Sequence, residues 1–249
     1  MMEKFLGEYD LKARVAPGLI LALPILIDAF YAAPLLSSLP IFAASGICSF
    51  ALIYGLGYLA RARGEAIEPK LWKRWEGPPS TRFLRQLDSS FTSELKVSIR
   101  SALFQCFSLV LPTVEEERQE PGHADRAIHD AFRQVRQYLR QRDPNGLWFK
   151  HDIEYGFSRN LLGCRGLWVI VATAATLFAA VRGARPRIFG TINPGSALSL
   201  LSLKCALYFG WAVLPDGTRR IADVYAESAW MAFLGLARDA KCKADEEHY

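Results

Sequence analysis

Apolar and charged positions are segregated into blocks along this chain. From Val15 to Ala60, 46 residues carry a single charge, Asp28. From Arg61 to Arg165 the pattern reverses, with 18 Lys/Arg and 14 Asp/Glu. Two further apolar runs follow, Gly166–Val181 and Ser196–Leu214, the second interrupted by Lys204. A helix needs about 20 residues to cross the roughly 30 Å hydrocarbon layer of a bilayer. Val15–Leu36 and Leu39–Ala60 each supply 22. Ser37 and Ser38 lie between them, flanked by Pro34 and Pro40, which suits a helical hairpin. Pro17 falls in a first turn, where a missing N–H does little harm. Pro24 predicts a kink. Gly46, Gly55 and Gly57 would let a neighbouring helix approach closely.

The charged block reads as mostly helical. Ile128, Ala131, Phe132, Val135, Tyr138 and Leu139 recur at three- and four-residue steps within Ala124–Arg142, an amphipathic pattern. Pro112-Thr113 before Glu115, Glu116 and Glu117 marks a loop or a helix start. Asp143-Pro144-Asn145-Gly146 carries turn chemistry. Near the C-terminus, Pro215-Asp216-Gly217-Thr218 predicts a break, with Asp216 or Thr218 capping a last amphipathic helix to about Ala240. Its expected inner face holds Ile221, Val224, Tyr225, Ser228, Ala232 and Leu236. The fold class is therefore all-α: four transmembrane helices in two hairpins, with a helical cytoplasmic domain between them. The segments are an N-terminal stretch (1–14), a hairpin (15–60), a cytoplasmic domain (61–165), a second hydrophobic pair (166–214), and an amphipathic helix with a charged tail (215–249).

Charge sets the orientation. The Ser37-Ser38 turn has no Lys or Arg, whereas Arg61, Arg63, Lys70, Lys73 and Arg74 follow the hairpin, so both its ends should be cytoplasmic. For the second pair, two topologies stand. Run length favours two more crossings. Arg182, Arg185 and Arg187 in the connection favour a re-entrant pair that stays on the cytoplasmic side. Lys4, Lys12 and Arg14 before the first run resemble a signal peptide, but the accompanying acids and the long run predict an uncleaved anchor. The net charge of +5 is modest and sits beside the apolar blocks, so anionic headgroups explain it before nucleic acid does. Five widely spaced cysteines without a CxxC point to neither a disulfide framework nor a zinc site.

Three groups of residues are candidates for function. A carboxylate at Asp28 costs about 2.5–3.5 kcal/mol to insert. With four crossings, Asp28 and Lys204 lie at similar depth, about 12 Å below the outer surface, so they could pair or line one polar cavity. The alternative is a protonated Asp28 and a snorkelling Lys204. Ser80, Thr81, Arg82 and Arg85 in Gly77-Pro78-Pro79-Ser80-Thr81-Arg82-Phe83-Leu84-Arg85 could hold a phosphate. The segment is no P-loop, and a capped helix beside the membrane explains it as well. His151, Asp152, Glu154 and Arg159 sit among aromatics before the third apolar run, where an interfacial belt is the plainer reading. No HExxH or Ser/His/Asp pattern links them to His123 or His129, so no catalytic residue, metal ligand or cofactor is expected.

The GPPSTRFLR and YGFSRNLLG segments, together with the early hairpin, resemble a family of uncharacterised bacterial inner-membrane proteins. The resemblance implies a multi-pass inner-membrane location and no defined activity. Two functional classes follow. One is a non-enzymatic sensor or effector whose cytoplasmic domain receives a signal, small ligand or partner, while its membrane helices assemble, as a homo-oligomer, or alter permeability. Stress or phage defence would suit that architecture. The other is a membrane-bound enzyme acting on lipid or a phosphorylated substrate at the cytoplasmic interface. A transporter lacks the expected repeat. The lipid bilayer is the expected partner in each case.

Overall fold

The computed structural model describes residues 10–32, 39–183 and 194–246, and the Ser37-Ser38 turn and the arginine-bearing connection at 184–193 lie outside them. All described elements are helical. In order they are a π-helical turn Asp10–Val15, α1 Ala16–Ala32, α2 Leu39–Arg74, α3 Pro79–Arg82, α4 Ser93–Phe107, α5 Val114–Gln119, α6 Pro121–Arg142, α7 Leu147–Gly163, α8 Arg165–Gly183, α9 Pro194–Tyr208, a π-helical turn Phe209–Val213, and α10 Leu214–Glu246. Three helical stretches among the described residues are long and apolar enough to cross a membrane: Leu11–Tyr31, Arg165–Arg182 and Pro194–Asp239. The remaining expected crossing, Leu39–Ala60, is helical as the first part of α2.

The chain divides into two compact units. Unit 1 comprises residues 1–69 and 153–218. Within it α1, α8 and α9 pack on one another. Ala172, Ala175 and Ala179 of α8 and Ser199 of α9 are buried. These small side chains let the helix backbones come close and make van der Waals contact. Of the three α2 glycines expected to permit a close approach, Gly57 does so. A Cβ there would stand 2.7 Å from the Arg14 carbonyl oxygen, and one on Gly18 would stand 2.6 Å from the Gly57 nitrogen. Gly46 and Gly55 face open space. Pro24 lies within α1 without ending it.

Unit 2 comprises residues 70–152 and 219–249. Its core is aromatic. Trp230 and Phe233 of α10 are fully buried. Phe132 of α6 meets Trp230 with ring centroids 5.1 Å apart, and Phe107 of α4 stacks on Phe233 at 5.6 Å. The amphipathic stripe of α6 is buried at Ala124, Ile128, Ala131, Phe132, Val135 and Leu139, while Tyr138 is half-buried against Phe107 and Phe233. Thr113 opens α5 with a capping box. Its hydroxyl accepts from Glu116 N, and Glu116 accepts from Thr113 N at 2.8 Å.

Two expectations for the C-terminal region are corrected. Pro215-Asp216-Gly217-Thr218 does not break the chain, because Pro215 comes just after a π-turn whose wider i→i−5 ladder accommodates a residue without an N–H. The π-turn Phe209–Val213 carries the helix across, and Thr218 caps nothing. The buried face of α10 runs through Ala222, Tyr225, Ala226, Ala229, Trp230, Phe233 and Ala237, while Val224 is exposed. The aromatic residues set that face, because each buries far more apolar area than Ile221 or Leu236 would.

Candidate functional site

Polar side chains are drawn into the interior at three places, each within one unit. The first lies among the apolar helices of unit 1. Asp28 of α1 is 6% exposed. Its Oδ1 accepts from Ser199 Oγ of α9 at 3.0 Å and lies 3.9 Å from Arg182 Nη2 of α8. Arg182 Nη1 also donates to the Asp28 carbonyl at 3.1 Å, and its guanidinium covers the Phe178 ring. Thr176 of α8 donates to the carbonyls of Ala172 and Ser199, and Ser196 donates to that of Ala179. An open cavity of about 500 Å³ lies beside Asp28, lined by apolar residues that include Ile25, Ile170, Ala174 and Phe178. Lys204 is exposed on α9, so the partners of Asp28 are Ser199 and Arg182 and not the lysine expected from depth.

The second cluster ties α2, α7 and the first π-turn together. Arg159 Nη1 donates to Glu68 Oε1 at 2.9 Å, with both side chains largely buried. Tyr155 Oη donates to the same oxygen at 2.8 Å, and the Arg159 guanidinium stacks on the Tyr155 ring. Asn160, 1% exposed, accepts from Arg159 and donates its Nδ2 to the Ala13 carbonyl at 2.8 Å. The i→i+5 pattern of a π-turn disturbs the regular ladder, and Asn160 provides Ala13 with a donor. A Cβ on Gly163 would stand 2.7 Å from the Gly64 nitrogen, so the helix backbones touch there. Ser158 Oγ and Thr218 Oγ1 share a fully buried hydrogen bond of 2.6 Å. Tyr155, Ser158, Arg159, Asn160 and Gly163 of the YGFSRNLLG segment thus all make helix-to-helix contacts. Glu154 is exposed, on the side of α7 away from Arg159. His151 is half-buried, its Nδ1 lacking a hydrogen-bond partner, and Asp152 is buried. The four candidates on α7 therefore share no single face.

The third cluster holds the loop after α3 in unit 2. Lys96 of α4 is 3% exposed, and its ammonium donates to the carbonyls of Arg85 (2.6 Å), Gln86 (3.3 Å) and Asp88. Burial lowers its pKa, opposed by the charges of Asp88 and Glu117. Arg100 donates to the carbonyls of Pro112 (2.7 Å), Leu84 (3.2 Å) and Leu111 (3.3 Å), and its pKa too is lowered by burial. Glu117, 5% exposed, accepts from the backbone N–H of Gln86 at 2.7 Å. Buried Lys96 and half-buried Arg100 thus hold backbone carbonyls and buried Glu117 holds an amide, satisfying backbone groups that no helix or strand would pair.

The same loop shows where the phosphate candidates lie. Arg85 makes a two-pronged bond to Asp125, 2.7 Å on each side, which raises its pKa. Arg82 Nη2 donates to Asp223 at 3.0 Å. The Ser80 carbonyl accepts from Trp230 Nε1 at 3.0 Å, and Thr81 is 1% exposed with no partner for its hydroxyl. Neither caps α3, whose N-cap is Pro78. Glu68, Asn160, Ser199, Arg182, Lys96 and Glu117 were not among the candidate functional residues read from the sequence. Arg182 carried the only visible signal, a cation at the end of an apolar run.

Together these features define a helical protein with membrane-competent helices stapled by buried polar side chains. No family model, curated protein or solved structure matches the chain.

Proposed function

We propose that this chain is a multi-pass protein of a bacterial inner membrane, with four crossings and both termini in the cytoplasm. It acts as a non-enzymatic sensor or effector. Unit 2 receives a signal, small ligand or partner, and the membrane helices assemble or alter permeability in response, in stress or phage defence. The observation that carries this reading is Asp28, a carboxylate set among three apolar helices and held by Ser199 and Arg182. A simple anchor has no use for so costly a group. The reading is also supported by the engagement of Arg82, Arg85 and Arg159 with Asp223, Asp125 and Glu68, which leaves these guanidiniums committed to carboxylates.

The test is induced expression in a bacterial host with a potential-sensitive dye. Wild-type protein should depolarise the cells, and Asp28→Asn at equal membrane abundance should depolarise them far less. An unchanged potential with abundant wild-type protein, in resting and phage-challenged cells alike, would count against the reading.

A further inference from the structure

Asp28 combines three properties that an ordinary structural carboxylate lacks. It is nine-tenths buried, it belongs to an apolar helix, and it lines the open cavity between α1 and α8. Its described partners, Ser199 and Arg182, both approach Oδ1. Oδ2 receives no hydrogen bond among the described residues. Arg182 stands at 3.9 Å, too long for a hydrogen bond, and its own Nη2 lacks a hydrogen-bond partner. The carboxylate is therefore held on one side only, beside a cavity whose walls are otherwise hydrocarbon.

We propose that Asp28 is a proton-binding site open to the hydrocarbon phase through the α1–α8 cavity. The ionised form is held by Arg182 and Ser199. The neutral form takes its proton on Oδ2 and no longer needs the cation. Among the described residues, few groups face this site. From α8 they are Arg182 and the Thr176 hydroxyl, which is committed to carbonyls. From α9 comes Ser199, Lys204 being exposed. Tyr31 of α1 packs its ring against Gly195. Between Gly46 and Ala60, α2 carries no charge. Among the described residues, Arg182 is the ionic group beside Asp28.

A lipid-soluble carbodiimide reports such a site. The carboxyl proton passes to one carbodiimide nitrogen as the carboxylate oxygen bonds to the central carbon. The acyl group then migrates from oxygen to nitrogen, giving a stable N-acylurea with no leaving group. The inference rests on the membrane placement of α1 and α8 but not on the effector role. Washed membranes containing the full-length protein are treated with dicyclohexylcarbodiimide or with a water-soluble carbodiimide, and peptides are analysed by mass. The expected result is a dicyclohexyl-N-acylurea on Asp28, more of it at lower pH, with little or none from the soluble reagent. Arg182→Gln should increase labelling several-fold at neutral pH, because it removes the cation that holds the ionised form, and Arg182→Lys should restore the wild-type level. Absence of adduct on Asp28 in protein that stays in the alkaline-washed membrane pellet would overturn the proposal, as would equal labelling by the soluble reagent. Release of the protein from the pellet would instead remove the membrane placement on which it stands.

Discussion

Ser158 and Thr218 show what a single residue contributes in this interior. Their hydroxyls face each other at 2.6 Å with both side chains buried. Thr218→Val removes one hydroxyl and leaves the other without a partner, which costs about 1–3 kcal/mol. Ser158→Ala does the same from the other side. Combining them should cost clearly less than the sum of the single changes, because the double variant leaves no orphaned hydroxyl. Thermal midpoints of the four proteins in detergent close the cycle, and strict additivity would show that the hydroxyls do not interact. At this scale the sequence is uneven. Asp28 was legible because a charge stands out in an apolar run. Its partners were not, because Arg182 and Ser199 lie 154 and 171 residues away and local periodicity carries no such information. Depth alone suggested Lys204, which lacks the rotational position on α9 that Ser199 has.

Helices were the most legible level. The three- and four-residue spacing of α6 marked its buried stripe, and the Thr113–Glu116 spacing of a capping box was present before α5. The face of α10 was misread because weak polar contrast gives no stripe, and the partners of Trp230 and Phe233 come from α4 and α6. The Pro215 break failed because a π-turn, invisible in the sequence pattern, precedes the proline and carries the helix through it. The α5 cap yields a pH prediction. The Thr113 backbone N–H, then its hydroxyl, hold the Glu116 carboxyl below its ordinary value of 4.5. A depressed carboxyl stabilises the folded state above its unfolded pKa, and that contribution disappears as pH falls through the folded one. Thermal midpoints followed by tryptophan fluorescence should therefore separate wild type from Glu116→Gln at about pH 6 and bring them together by about pH 3. A gap that widened on acidification would contradict the cap.

Across the whole molecule, the sequence separated apolar from charged blocks but placed the boundaries by composition. The compact units are drawn at residues 69, 152 and 218, and the C-terminal helix from 219 belongs with residues 70–152. Composition left two readings open, a helix on the membrane surface or one packed on the central domain, and the contacts of Trp230 and Phe233 with α6 and α4 decide for the second. Ending the chain after Thr218 should therefore unfold unit 2. Trp230 and Phe233 each contribute about 1.5–3 kcal/mol by burial, a large share of the 5–15 kcal/mol that holds a domain together. Limited proteolysis should cut the truncated protein within residues 70–152 at protease levels that leave the full chain intact, and equal resistance would refute the assignment.

The wide sequence separation of Asp28 and Arg182 has a further consequence, for synthesis at the ribosome. Asp28 is made 154 residues before the arginine that lies beside it. At about 5–20 residues per second, the carboxyl group waits on the order of 8–30 s for Arg182 to be translated. During that interval α1 enters the bilayer, in the placement proposed above, without its cation. A carboxyl group alone in hydrocarbon is far cheaper neutral than ionised. In that placement Asp28 gains its neighbouring cation only once α8 arrives.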